Sequence, residues 1–182
     1  MRFLAAAALA AAFVLPAQAQ QKIIPEKSFI RFAFTQMNVA VEGKFRKFDA
    51  TIAFDPAKPE ATKANFEVDL GSIDIGTDEG TTEAKRKTWL NVEGFPKASF
   101  TATSVKSLGG NKFEARGPLA IKGTSREIVA TFSLADAAGV RTVEGQFPLK
   151  RLQYKIGENE WADTDTVADD VLVKFRFVLA TK

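Results

Sequence analysis

Six carboxylates crowd one segment of the chain. Within GENEWADTDTVADD, residues 157–170, stand Glu158, Glu160, Asp163, Asp165, Asp169 and Asp170. Closely spaced oxygen ligands suit calcium, yet the segment lacks the ordered D-x-D-x-D-G pattern of an EF-hand loop, and no metal is assigned to it. Two carboxylates also suffice for glycoside hydrolysis, but they must face each other across a substrate. Groups gathered on one loop meet that demand poorly, which leaves a carboxylate-based hydrolase as a rival reading only. The expected role of the segment is a solvated loop that limits access to what lies beneath it, with Trp161 folded inward.

Other chemistries lack their residues. The 182-residue chain contains no His and no Cys. Without His the usual general base, the Ser-His and Cys-His nucleophile arrangements and most zinc, copper and haem sites are gone. Without Cys there are no disulfides, so stability must come from a core, and sixteen Phe are present to build one. Neither enzymatic chemistry nor a cofactor is expected. Basic residues number 25 and acidic ones 22, interleaved along the chain for a net charge of +3. That pattern lacks the concentrated basic face that nucleic acid requires.

The N-terminus reads as an address. MRFLAAAALAAAFVLPAQAQ sets Arg2 before an apolar run and then Ala17-Gln18-Ala19, a small-residue cleavage pattern. The run is shorter than the about 20 residues a membrane-spanning helix needs, as is every later apolar stretch. A cleaved signal peptide over 1–19, a single domain over 20–182 and a periplasmic location follow as expectations.

The elements that must position any site are strands. From Ser28 onward the dominant period is two, in segments rich in Phe, Val, Ile and Thr. SFIRFAFTQ places Ile30, Phe32 and Phe34 on one face. VEGKFRKFDATIAFD continues through Phe48, Ala50, Ile52 and Phe54, with a parity slip between Phe45 and Phe48 that marks a bulge or bend. KANFEVDLGSID turns Ala64, Phe66, Val68 and Leu70 inward, and five further segments follow, ending with DDVLVKFRFVL. Only TDEGTTEAKRKTW, residues 77–89, breaks the pattern. Its acidic start and basic end suit a short helix on the macrodipole argument. The expected fold is all-β, an eight-stranded antiparallel lipocalin-like barrel with a short helix between strands 3 and 4, a closed sheet being the simplest way to hide its edges.

The inward faces of that barrel carry unexpectedly small residues. In KFEARGPLAIKG, residues 112–123, the face bearing Phe113, Leu119 and Ile121 also bears Ala115, Gly117 and Gly123. Elsewhere Gly43, Ala64, Ala98, Ala102 and Gly145 fall inward among the phenylalanines. Eight strands is the size at which a barrel is either just filled or just able to hold a ligand. Aromatic walls with gaps describe an apolar cavity. The alternative is that Gly43 and Gly145 serve as kinks for strand coiling and that small residues fit the barrel's taper. Such a cavity selects a long hydrocarbon chain: at about 0.8 kcal/mol per buried methylene, one prenyl unit adds on the order of 3 kcal/mol before ordering costs.

Several segments, in order, resemble the YceI-like family, exported lipocalin-like barrels that bind polyisoprenoids. They are Glu26-Lys27-Ser28 leading into β-structure, Val41-Glu42-Gly43-Lys44-Phe45 with Phe48-Asp49, and Ser72-Ile73-Asp74-Ile75-Gly76. Trp89-Leu90-Asn91 with Phe95-Pro96-Lys97-Ala98-Ser99-Phe100 follows, then the run from Gly117 to Gly123. Arg151-Leu152-Gln153-Tyr154-Lys155-Ile156-Gly157 with Trp161-Ala162-Asp163 and Asp170-Val171 completes the set. The resemblance implies isoprenoid binding, with a quinone as one form of cargo rather than a cofactor. Many relatives carry His where Lys27 stands and near Gln36, so no histidine role carries over, although Gln36 retains hydrogen-bonding capacity.

The expected apolar lining is Phe32, Phe34, Phe45, Phe54, Phe66, Val68, Trp89, Phe100, Phe113, Phe147 and Phe175. Gln36 is the head-group candidate, against the plainer reading of a solvated strand end. Trp89 either caps the chamber or anchors the helix to the sheet. The expected partner is a polyisoprenoid or similar amphiphile, with no nucleic acid and no integral membrane segment; monomer and homodimer both stay open. The second rival is a filled barrel acting through its outer surface as an envelope adaptor or inhibitor.

Overall fold

Alternating side chains become strands wherever one face finds a core, and here nearly the whole chain does so. The computed structural model describes residues 20–180, and the segment read as a signal peptide lies outside them. The strands are β1 (Phe29–Gln36), β2 (Val39–Phe45), β3 (Phe48–Ala53), β4 (Lys63–Asp69), β5 (Ile73–Asp74) and β6 (Lys97–Thr101). Then come β7 (Ser104–Gly109), β8 (Lys112–Ile121), β9 (Thr124–Ala137), β10 (Val140–Lys150) and β11 (Val167–Ala180). Helix α1 (Asp78–Lys85) lies between β5 and β6. All pairings are antiparallel, along the path β3-β4-β6-β8-β9-β10-β11-β1-β2-β5, with β7 also on β8.

Eleven segments replace the expected eight strands because three long strands are broken. β2 and β3 are separated by Arg46 and Lys47, β4 and β5 by a 3-10 turn at Leu70–Ser72, and β6 and β7 by Ala102 and Thr103. β3 continues β2 and pairs with β4, while β5 continues β4 and pairs with β2. The two ends of the path are thus halves of one strand pair, and the sheet curls back on itself as a barrel.

The parity slip has a physical cause. Phe45 and Phe48 both pack against the core, although a spacing of three would put them on opposite faces of an unbroken strand. At the break the Arg46 amide donates to the Ser72 carbonyl at 3.1 Å, and the Lys47 amide to Ser72 Oγ at 3.0 Å. The turn on the neighbouring strand replaces the ladder for two residues and lets the chain re-enter with both rings inside.

Helix α1 starts where Thr77 Oγ1 accepts from the Gly80 amide at 3.2 Å. Asp78 and Glu79 occupy its first turn and Lys85 its last. It ends at Lys85 because Arg86 leaves helical geometry, and residues 86–95 run on as turns held by bonds such as Leu90 N to Ala84 O. β1 rises toward Gln36, which faces Val167 at the start of β11, so one end of the barrel gathers Gln36, Val167, α1 and the loop 157–166. The opposite end gathers Ile52, Phe54, Phe113, Leu134 and Val143 in one buried cluster.

Candidate functional site: an apolar chamber inside the barrel

Inward faces of the strands enclose a cavity of about 340 Å³, within the range of small-molecule pockets. A filled barrel is therefore not what these residues build. Ten of the eleven residues expected to line it do so: Phe32, Phe34, Phe45, Phe54, Phe66, Val68, Trp89, Phe100, Phe147 and Phe175. Gln36 lines it as well, half-buried at the end of β1.

Phe113 does not. It is only 3% exposed, and its ring stacks on Phe132 at 5.5 Å and meets Phe54 edge-on at 5.3 Å. Alternation placed it on the inner face correctly, but it sits beyond the chamber and helps to form its floor. Offset and edge-to-face aromatic contacts of this kind fill space with little freedom to move.

The small residues divide into two groups. Ala64, Ala98, Ala102 and Ala115 line the chamber, and their short side chains leave room. The glycines leave none. A Cβ at Gly43 would run into the Phe32 ring, one at Gly145 into the Thr131 carbonyl and the Phe175 ring, and one at Gly117 into the Thr101 carbonyl. These three allow close approach of a ring or of backbone. Gly123 holds the β8–β9 turn with φ +73°. Four of the eight apparent gaps are thus filled by neighbours or belong to a turn.

Sequence reasoning missed part of the wall. Phe177 lines the chamber and stacks on Phe66 at 4.8 Å. It lies two residues beyond Phe175, so continuing the same alternation finds it. Phe132, on β9, likewise shares a face with Ala130 and Ile128. Glu83 on α1 and Arg151 also line the chamber, and no local pattern marks either.

Arg151 organises the helix-side end. It is 2% exposed, yet no carboxylate pairs with it among the described residues. Its guanidinium instead donates to five backbone carbonyls. Nε reaches Ala168 at 3.1 Å, Nη1 reaches Ile156 at 2.9 Å and Gly157 at 3.1 Å, and Nη2 reaches Trp161 at 2.7 Å and Val167 at 2.6 Å. Burial pushes its pKa down, with Asp169 opposing the shift. The five bonds fix the loop 157–166 from beneath. The Trp89 ring lies 5.6 Å from the guanidinium carbon and 5.4 Å from the Trp161 ring, so both tryptophans close over the chamber. Trp161 folds inward as expected, and Trp89 lines the chamber beside it.

A second tie comes from Lys122, whose Nζ donates to the Lys155 carbonyl at 2.6 Å and to Glu158 at 2.8 Å. That hydrogen bond holds the Glu158 carboxyl below its usual pKa. Of the other acidic residues, Asp169 accepts from the Leu152 amide at 2.9 Å, while Asp163 and Asp170 serve the loop itself or the surface. Asp163 accepts from the Asp165 amide and from Thr166 Oγ1, which lowers its pKa, and Asp170 pairs with Lys150. Asp163, Asp165 and Asp170 are all exposed and none lines the chamber. These three carboxylates do not form the acidic cleft that the hydrolase reading asks of them.

A curled antiparallel barrel around an apolar chamber, closed at one end by aromatic packing and at the other by a pinned loop, defines a lipocalin-like protein. The YceI-like domain model matches residues 21–179, and the chain belongs to that family. Curated relatives include UPF0312 proteins of Azotobacter vinelandii, 32% identical over 67% of this chain and 61% of the relative, and of Pseudomonas savastanoi, 33% identical over 69% and 64%. The chain thus spans somewhat under two thirds of the length of these relatives. Among solved structures, Burkholderia cenocepacia BcnA superposes with a TM-score of 0.84 at 34% identity, over 86% of this chain and 99% of that one. A polyisoprenoid binding domain from Saccharophagus degradans shares the fold with a TM-score of 0.70 at 13% identity, over 91% and 100%.

Proposed function

We propose that this protein is an exported, periplasmic carrier that holds a polyisoprenoid, or a similar long-chain amphiphile such as an isoprenoid quinone, in its barrel for transport, storage or protection. The observation that carries the reading is the chamber wall: mostly Phe, Ile, Leu, Val and Ala, with Gln36, Glu83 and Arg151 at the helix-side end and Thr62 and Ser99 the polar residues elsewhere on the lining. A hydrocarbon tail gains from burial along such a wall, and a polar head finds charged and amide partners at the helix-side end. The kinship in fold to a polyisoprenoid binding domain supports the same cargo class. The protein then acts by binding, without catalysis, and the lipid is cargo.

Native mass spectrometry of protein purified from its own host tests the reading, followed by organic extraction. The expected result is a mass increment that extraction removes and that fragments as a prenyl chain. Bare polypeptide in every preparation, with nothing in the extract, overturns carriage. Ala115→Phe is the companion variant, because it places a ring in the chamber without touching the exterior; the increment is expected to vanish while the fold persists.

A further inference from the structure

A carrier of membrane-soluble cargo must meet the membrane, and one rim of the barrel lacks the charges that would keep it away. From Phe32 to Val41 no side chain is ionisable, in a chain that is 26% charged; Arg31 and Glu42 bracket the stretch. These residues form the β1–β2 hairpin. At its tip Met37 is 70% and Val39 63% exposed, the two most exposed large hydrophobic residues among those described. Met37 holds φ +50° and Asn38 φ +63°, turn positions where Asn or Gly is favoured and an apolar side chain has no local reason to stand.

The tip adjoins the chamber. Gln36 lines the cavity, is paired with Val39 and Val167, and precedes Met37, whose amide donates to the Thr166 carbonyl at 2.9 Å. The chain's two tryptophans, Trp89 and Trp161, are half-buried at the same end, and indole rings favour the interfacial layer of a bilayer. Charges of both signs surround this end, Lys85, Arg86 and Lys87 against Glu158, Asp163 and Asp165, so attraction to one sign of lipid is not the driving term. We infer that the β1–β2 hairpin tip docks the chamber end of the barrel onto a phospholipid bilayer, with Met37 and Val39 entering the interfacial layer beside Gln36. The inference deepens the carrier reading and rests on it for its purpose, not for its geometry.

Flotation with vesicles of phosphatidylethanolamine and phosphatidylglycerol tests docking, and uptake of geranylgeraniol from the same vesicles tests delivery. Met37→Asn with Val39→Thr preserves turn and strand preferences while removing the apolar surface. The double variant is expected to lose about tenfold in vesicle partition, as apolar groups stay in water, with uptake slowed to match. Binding of geranylgeraniol in dilute detergent, without vesicles, stays unchanged. Leu108→Ser, at the exposed β7–β8 hairpin of the opposite end, leaves flotation unaltered. Equal flotation of wild type and double variant overturns docking, as does an equal loss in Leu108→Ser, release of the wild type by salt alone, or no vesicle binding together with a tip-dependent protein complex. Tip-dependent flotation without any prenol binding upholds docking and sinks the carrier reading instead.

Discussion

The two ends of the barrel are closed by different physics. At the floor, Phe54, Phe113 and Phe132 interlock with ring centroids 5.3 to 6.0 Å apart, and closure is non-directional burial supplied by residues within strands. At the mouth, a loop of low apolar content lies across the opening because one guanidinium holds the Gly157 and Trp161 carbonyls within it and the Ile156, Val167 and Ala168 carbonyls that flank it. Aromatic packing tolerates no motion short of unfolding, whereas a hydrogen-bonded flap can open locally while the barrel stands. On the proposed carrier reading, the end that admits cargo is the one built in the second way.

Removing the pin gives the largest expected effect. Arg151→Ala leaves buried carbonyls without donors and is expected to cost about 5 kcal/mol, at the upper end for losing one partner of a buried charged network. Urea denaturation measures the total, and hydrogen exchange over 157–166 locates it. Arg151→Lys recovers only part, since an ammonium offers three donors to five acceptors. Should the loss spread evenly over the floor strands, the contrast between the ends fails.

Phe113→Ala attacks the other end, with an expected cost of about 3–4 kcal/mol from transfer and cavity terms together. Here exchange rises in β3, β8 and β9 while the loop 157–166 stays protected. Because Phe113 lies behind the wall, cargo affinity holds, and the deepened chamber shifts preference toward longer prenyl chains. A large loss of affinity for short prenols would place Phe113 in the binding surface after all.

Ala115→Phe fills the space between the ends. Its stability change is expected to be within about 1.5 kcal/mol, the ring entering existing space, while cargo affinity drops by about tenfold or more as methylenes are displaced. Fluorescent-prenol titration reads the affinity and urea the stability. Unchanged affinity would show that cargo does not occupy the middle of the barrel.

How far the sequence reveals this site depends on the end in question. Period-two alternation assigns a face, and it placed Phe32, Phe66 and Phe175 toward the axis without any knowledge of neighbours. Alternation says nothing about depth along the axis, which is why Phe113 passes for lining when it is floor. Nor can one strand reveal that the space over Gly43 belongs to Phe32, since that requires the register of β1 on β2. The mouth was the least legible region. Arg151 becomes a hub only after β11, the 3-10 turn at Arg151–Tyr154 and the acidic loop converge on it, and a lone Arg at the end of a strand carries no sign of that.

The smallest effect probes the joint between strand and helix at the mouth. Asp74, at the end of β5, accepts from the Gly76 amide at 2.9 Å and from Arg46 at 2.8 Å, and Lys44 lies 3.5 Å away. The Gly76 N–H first and the Arg46 hydrogen bond second hold its carboxyl at about 2, below the ordinary value of 3.8. A depressed carboxylate stabilises the fold above its unfolded pKa, and that contribution is lost as pH falls from near 3.8 through about 2. Asp74→Asn keeps an acceptor for Gly76 but no charge for Arg46. Its melting temperature is therefore expected to lie slightly below wild type at neutral pH, with the gap closing as pH approaches 2. Added salt shrinks the neutral-pH gap, because Arg46 and Lys44 are exposed. A gap that persists undiminished at pH 2 would mean that carboxylate charge plays no part in tying Asp74 to Arg46 and Lys44.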